Sequence, residues 1–154
     1  MSLKEIVSNY ISVDDLKKVS GVIEEIEKQT RGEIRISLKD HRGYLEQGIS
    51  SWDLALQEFF ELEMDKTAEK TGVLIQIIFR DHEFSIVADE GVNSKVIAET
   101  WSEISMGMSL RFKTDQYCEG IIFALEEIGK ILIKEFPIRE GDVNELSNEI
   151  VIRP

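Results

Sequence analysis

The sequence has a single cysteine, Cys118, among its 154 residues. One thiol excludes an intramolecular disulfide and any metal site that is built from several thiolates. Basic residues are also scarce, since 18 lysines and arginines face 30 aspartates and glutamates and leave a formal net charge of −12. Such a charge repels phosphate backbones and anionic headgroups, so we expect no binding to nucleic acid or to a membrane surface.

Long hydrophobic runs are missing too. The longest apolar stretch near the middle of the chain, residues 73–79, is interrupted by Gln76 and is far shorter than the roughly 20 residues of a membrane-spanning helix. The first five residues do not resemble a secretory signal, so we expect a cytoplasmic protein. Because 42% of the residues are hydrophobic and the length suits one core, we expect a single domain over residues 1–154.

Three common catalytic motifs are absent from the sequence. It contains neither Gly-x-Ser-x-Gly, nor the phosphate-binding loop Gly-x-x-x-x-Gly-Lys-Ser/Thr, nor His-Glu-x-x-His. Cys118 also lacks the arginine that a cysteine phosphatase carries six residues further on, because position 124 is alanine. We interpret Cys118 as a packed structural thiol rather than a nucleophile.

The sequence does contain regular hydrophobic periodicity. Apolar residues spaced by three and four predict helices over residues 13–29, from Trp52 to near Ala68, after Asn93, and over residues 121–132. We interpret the acidic run in the first helix, residues 24–27, as a solvated face. Four aromatic residues at helical spacing are assigned to the core: Trp52, Phe59, Phe60 and Trp101.

Strands are predicted between these helices. Alternation over residues 33–38 indicates a half-buried strand, and the apolar run at 73–79 indicates a strand covered on both faces. A short polar turn then leads to a strand at 84–88, which predicts an antiparallel hairpin. The strand–helix–strand unit predicts a right-handed parallel crossover. The fold class is therefore α/β (α+β), a small mixed sheet flanked by helices in the order αβαββαα, with residues 150–152 as a candidate short C-terminal strand.

The predicted topology brings distant segments to one end of the sheet. Parallel strands begin at the same end, and the returning hairpin strand finishes there. This end gathers Glu33 and residues 89–93, and the free amides of the following helix are expected to point at it.

The segment at 89–93 suits two compatible roles. Oxygen atoms of Asp89, Glu90 and Asn93 around a flexible glycine fit a hard divalent cation such as calcium. Glu33 would add a further carboxylate. Alternatively, Asp89 and Asn93 cap the helix while Gly91 permits the turn.

The two histidines, His41 and His82, fall at the opposite end of the sheet, each beside an aspartate. Together with Asp40 and Asp81 they have the composition of a zinc or other transition-metal site. Polar turn residues are more often simply solvated, and we favour that interpretation.

Short matches in a consistent order resemble the TPM domain family. They extend from about residue 12 to residue 152, which we take as the core of the domain. The matches include Arg-Gly-Glu-Ile-Arg-Ile at 31–36, Gly-Val-Leu-Ile at 72–75, residues 84–93, Trp101, Glu-Gly-Ile at 119–121, Phe-Pro at 136–137 and Asn-Glu-Leu at 144–146.

The resemblance implies a fold, a ligand and an activity. The family includes a thylakoid-lumen protein of photosystem II repair and bacterial proteins described as phosphatases, and its fold is a small mixed sheet between helices. Relatives that bind calcium or other divalent ions imply a divalent cation, with Asp89 matching the family's aspartate before glycine and Glu33 its Gly-Glu pair. The acid phosphatase activity attributed to the plant member implies phosphomonoester hydrolysis.

Two functions remain open at this point. In the first, an ion held by Asp89 and Glu33 polarises a phosphoryl oxygen and activates water. In the second, the chain is a non-enzymatic cation-binding module that regulates or binds a protein partner. We favour the second because the charge of −12 opposes an anionic substrate and the nearest basic candidates are only Arg31 and Arg35.

Overall fold

The structure is a computed structural model that describes residues 2–142 and 149–154. The helices and strands are α1 (Leu3–Ile6), α2 (Val13–Glu27), β1 (Glu33–Lys39), a 3-10 turn (Tyr44–Glu46), α3 (Ser51–Glu61), β2 (Gly72–Ile78), β3 (Glu83–Ala88), α4 (Glu90–Asn93), α5 (Ala98–Phe112), α6 (Tyr117–Glu135) and β4 (Val151–Arg153). The α/β fold expected from the sequence is confirmed. The Asn-Glu-Leu match at 144–146 lies outside the described residues.

The strands form one mixed sheet in the order β3-β2-β1-β4. β1 and β2 are parallel, with Glu33 opposite Gly72, and β2 and β3 form an antiparallel hairpin with Val73 opposite Ala88. β4 lies parallel to β1 on its other side. The parallel crossover, the hairpin and the short C-terminal strand are therefore confirmed.

Serine side chains cap the N-termini of two of the longer helices. Ser12 Oγ accepts the Asp15 N–H of α2 at 3.0 Å, and Ser50 Oγ accepts the Asp53 N–H of α3 at 3.1 Å. Each cap satisfies an amide that has no partner within its helix. The predicted end of the second helix near Ala68 is wrong, because the chain leaves α3 after Glu61 and soon adopts a positive φ.

The two faces of the sheet are covered unequally. The larger core lies under α2, α5 and α6 and includes Ile23, Ile34, Ile75, Met108 and Leu125. A smaller core lies under α3 and contains Ala55, Phe59, Met64, Leu74 and Val87. The strand at 33–38 was expected to be half-buried, and this expectation is wrong. Both faces of β1 are covered, and even Ser37 is buried.

Two further expectations are corrected. Trp52 and Phe60 are not core residues, because 48% and 58% of their surfaces are exposed, whereas Phe59 is buried. The helix expected after Asn93 begins only at Ala98, and the separate short helix α4 precedes it. Within the described residues, no helix has the length and apolar character needed to cross a membrane.

Candidate functional site

The predicted site residues lie where β1 and β2 begin and β3 ends. Glu33 is opposite Gly72, and the Asp89 N–H donates to the Gly72 carbonyl at 2.9 Å, so Gly72 lies between the two acidic residues. Neighbouring strands are about 4.8 Å apart, which places the backbones of Glu33 and Asp89 about 10 Å apart. The two residues thus share one end of the sheet, which we call the Asp89 end.

Asp89 is the N-cap of α4. Its backbone is extended, and its Oδ1 accepts the Glu90 N–H at 2.7 Å, so the capping role is confirmed for Asp89. The capping role expected of Asn93 is wrong, because Asn93 is the last residue of α4 and α5 begins after Ile97 without a side-chain cap. Its other oxygen, Oδ2, is buried and has no hydrogen-bond partner among the described residues. A buried carboxylate oxygen without a partner is unfavourable, because it has lost its hydration without gaining a hydrogen bond.

Gly91 allows the chain to pack tightly beside this cap. A Cβ at Gly91 would lie 2.1 Å from the Glu69 carbonyl oxygen and 2.5 Å from the Lys70 carbonyl oxygen, so no larger residue fits without a backbone shift. The loop before β2 therefore brings backbone oxygens against the turn that Asp89 caps. Carboxylate and carbonyl oxygens are the ligands that calcium prefers.

The other two predicted ligands have different surroundings. Glu90 is exposed at the first position of α4. Asn93 is exposed too, and its Oδ1 accepts the indole N–H of Trp101 at 3.0 Å. Across residues 2–142 and 149–154, no three aspartate, glutamate, histidine or cysteine side chains form a group suited to hold a metal ion. A cation at the Asp89 end would therefore complete its shell with backbone oxygens and water.

Glu33 lies against a second carboxyl group that the sequence did not reveal. Glu33 is only 2% exposed, and Glu27 at the end of α2 accepts the Ile34 N–H at 3.2 Å. Burial, followed by the charge of Glu33, raises the pKa of Glu27 to about 8. At neutral pH, the Glu27–Glu33 pair therefore retains a proton. Glu27 belongs to the acidic run interpreted as solvated, and at this position that interpretation is wrong.

The basic residues near this end bind other parts of the chain. Arg31 Nε lies 2.6 Å from Glu69 Oε2, and Arg31 Nη1 donates to the Pro137 carbonyl at 2.6 Å. Arg35 donates to the Glu149 carbonyl at 3.4 Å. Both guanidinium groups thus already have acceptors.

At the opposite end of the sheet, where His41 and His82 lie, the charged side chains form ion pairs. His41 Nδ1 lies 3.0 Å from Asp40 Oδ2, which also binds Arg80 at 2.7 Å. Asp81 binds Arg42 at 2.6 Å, and His82 is exposed. Asp40 and Asp81 are thus paired with arginines, and both histidines are exposed.

Two further ionisable groups, Glu58 and Cys118, are buried. Glu58 on α3 is 4% exposed, and its oxygens accept hydrogen bonds from Ser37 Oγ at 2.5 Å and from Arg153 at 2.7 and 3.0 Å. Burial alone would raise the pKa of Glu58, but the hydrogen bonds from Arg153 and Ser37 hold it below its ordinary value. Burial raises the pKa of Cys118 to about 11, which fits a structural thiol.

Comparisons with known proteins agree with the fold. The family model described as TPM domain matches residues 7–131. The NMR structure of BA42 protein from the psychrophilic bacterium Bizionia argentinensis is 32% identical with a TM-score of 0.82, over 92% of this chain and 94% of that one. The N-terminal domain of cg2496 protein from Corynebacterium glutamicum is 7% identical with a TM-score of 0.61, over 95% and 83%, and shows the fold alone. A search of curated proteins found no match.

Proposed function

The chain belongs to the TPM domain family, and from this premise we propose that it is a non-enzymatic module that binds a divalent cation, calcium above all, at Asp89. One observation supports the cation most directly. Asp89 Oδ2 is buried and accepts no hydrogen bond from any residue that the structure describes.

A bound cation would satisfy this oxygen. Oδ1 of Asp89 already caps α4, so the carboxylate is oriented with Oδ2 as its remaining ligand atom. The carbonyl oxygens of Glu69 and Lys70 lie close to Gly91, two residues further along the chain. Calcium accepts an irregular shell of carboxylate, carbonyl and water oxygens, whereas zinc favours nitrogen and sulfur ligands.

The other proposed ligands contribute in different ways. Glu33 adds negative charge at the same end of the sheet, where it shares a proton with Glu27 at neutral pH. A divalent cation at this end favours the ionised form of the carboxyl pair. Glu90 is exposed and free to turn toward the ion, and Asn93 would share its Oδ1 with the Trp101 indole.

Phosphomonoester hydrolysis is the alternative that the family resemblance implies. It requires cationic groups that hold the phosphate and a nucleophile or an activated water. Arg31 is bound to Glu69, the pKa of Cys118 is raised to about 11, and the net charge is −12. These features favour a binding module over a hydrolase.

Thermal unfolding of the full chain during titration with calcium, magnesium and zinc chlorides tests the proposal. Calcium should raise the melting temperature of the wild type, since a ligand at a hundred times its dissociation constant adds about 2.7 kcal/mol to the free energy of unfolding. Asp89→Asn should abolish this effect and still fold, because asparagine also caps helices. Asp14→Asn, an equal charge change at the exposed start of α2, serves as the matched control.

Two results would contradict the proposal. If millimolar calcium leaves the melting temperature of the wild type unchanged, or raises that of Asp89→Asn equally, Asp89 does not hold a cation site. Metal-dependent turnover of p-nitrophenyl phosphate that is lost in Asp89→Asn would replace the binding module with a hydrolase.

A further inference from the structure

A long groove follows the outer edge of β3. Its floor is residues 84–88, and its walls are Trp52 and Leu56 of α3 and Trp101, Ser105 and Met106 of α5. We call it the β3 groove; its volume is about 780 Å³. Although 31% of the chain is charged, none of the described residues that line the groove carries a charge.

The floor of the groove is an edge strand. β3 is the outermost strand of the order β3-β2-β1-β4, so β2 is its only partner strand in the described part of the chain. An edge strand presents unpaired N–H and C=O groups, and proteins usually protect such edges with lysine, proline or a very short strand. The opposite edge has such protection, since β4 has three residues and is followed by Pro154. β3 has six residues and contains neither lysine nor proline.

Apolar side chains are exposed on both walls. Trp52 is 48% exposed and Met106 is 65% exposed, and Phe60 and Leu110 on the same two helices are 58% and 59% exposed. Single exposed apolar residues are ordinary, but several that flank one unpaired strand indicate a surface that is covered by a partner.

We infer that the β3 groove binds an extended segment of another protein, which adds to the sheet as a strand beside β3. In this mode the main chain pairs with the edge, and alternate side chains enter pockets between the flanking elements. The uncharged lining selects apolar side chains at these alternate positions.

The charged residues beside the groove indicate which residues flank the apolar side chains of the partner's segment. Glu103 precedes Met106 by three residues and follows Glu99 by four, so both exposed carboxylates lie along the outer side of the α5 wall. Asp53 is exposed beside Trp52 on the α3 wall. Acidic rims on a chain with a charge of −12 attract lysine and arginine. A second copy of the chain would bring the same negative charge, so the occupant is a different protein with a basic and apolar segment.

This inference rests on the interaction part of the proposed function and does not depend on the cation. The two sites are nevertheless adjacent, because Asn93 of α4 lines the groove and accepts the Trp101 indole N–H. Peptide binding is therefore measured both with calcium and with a chelator.

Selection of random displayed peptides of about ten residues on the full chain provides the probe, since strands of five or six residues are typical. Selected peptides should alternate apolar residues and carry lysine or arginine at their ends. Synthetic copies are then titrated by intrinsic fluorescence, because both tryptophans of the chain line the groove. Met106→Lys should weaken binding by about tenfold or more, as expected for a central interface residue. Leu45→Lys, at an 87% exposed site outside the groove, should leave binding unchanged.

Hydrogen exchange distinguishes strand addition from other contacts. Those amides of residues 84–88 that point away from β2 should exchange more slowly when the peptide is bound, because the others are already bonded to β2. The inference is overturned if no peptide is enriched, if Met106→Lys binds as tightly as the wild type, or if sedimentation shows that the chain itself dimerises through Met106. Peptide binding by a chain whose melting temperature calcium does not change would contradict only the cation site. A rise in melting temperature with calcium, without any peptide binding, would contradict only the groove.

Discussion

Glu58 and Asp89 lie near opposite ends of the same sheet, and the chain surrounds their carboxylates in different ways. Glu58 accepts hydrogen bonds from Ser37 and from two nitrogens of Arg153, so both of its oxygens have partners. Asp89 uses Oδ1 to cap α4, while Oδ2 is buried without a partner among the described residues. The described residues thus supply a cationic partner for one carboxylate and none for the other.

This difference shows where an external cation is needed. A buried negative charge is tolerated when a paired cation and hydrogen bonds offset its lost hydration. Arg153 fulfils that role at Glu58, whereas Arg31 near the Asp89 end is bound to Glu69. The Asp89 end also holds the carboxyl pair of Glu27 and Glu33, which shares one proton at neutral pH and so adds a single negative charge.

The largest effect is expected when the Asp89 end is disrupted by a methyl group. Gly91→Ala would place Cβ 2.1 Å from the Glu69 carbonyl oxygen, so the backbone must shift. We expect a loss of about 3 kcal/mol in the free energy of unfolding, measured by urea titration, because overpacking against backbone is costly. Gly21→Ala is the matched control, since nothing lies within 4 Å of the added methyl, and it should gain about 0.5–1 kcal/mol. Equal stability of the two variants would show that the loop does not pack against α4 as described.

The Glu58 end is tested by removing its cation. Arg153→Ala should destabilise the fold by about 2–3 kcal/mol, toward the low end for a broken buried pair because Arg153 is partly exposed. Its stability should recover as the pH falls, since protonation removes the unpaired charge of Glu58. Lys130→Ala breaks an exposed ion pair with Glu127 and should leave the melting temperature unchanged. If Arg153→Ala is as stable as Lys130→Ala, Arg153 does not stabilise the buried charge of Glu58, and Glu58 and Asp89 do not differ in the way described.

A smaller effect concerns the pH dependence of stability. The pKa of Glu27 is raised from 4.5 to about 8, so between these pH values the folded state binds more protons than the unfolded state. Stability should therefore fall as the pH rises from about 4.5 to about 8.

Glu27→Gln should flatten this pH dependence, because glutamine remains neutral and can still accept the Ile34 N–H. Glu24→Gln on the exposed side of α2 provides the control and should keep the wild-type slope. A wild-type slope in Glu27→Gln as well would show that this carboxyl group is already ionised at low pH.

Much of the fold was predictable because its signals are local. Spacing of apolar residues marks α2, β2 and the hairpin, and the short turn between β2 and β3 fixes their antiparallel pairing. Those strand directions were enough to place Glu33 and Asp89 at one end of the sheet. The cap at Asp89 followed from residue type alone.

The remaining features depend on which surfaces meet. The apolar stripe of α3 is wider than the surface that the sheet covers, so periodicity assigned Trp52 and Phe60 to the core although they are exposed. Glu27 and Glu33 meet because the end of α2 folds over the start of β1, a contact that no spacing encodes. The α4 helix separates from α5 because fully buried Val92 anchors it, while Ile97 is exposed.

The most direct measurement of the central claim is an NMR titration of the ¹⁵N-labelled full chain with calcium chloride. The Glu90 amide donates to Asp89 Oδ1 at 2.7 Å, so its signal and that of Gly91 should shift and saturate together, and neither should move in Asp89→Asn. Signals at these residues that stay fixed, or that move equally in Asp89→Asn, would contradict the claim that Asp89 binds the cation.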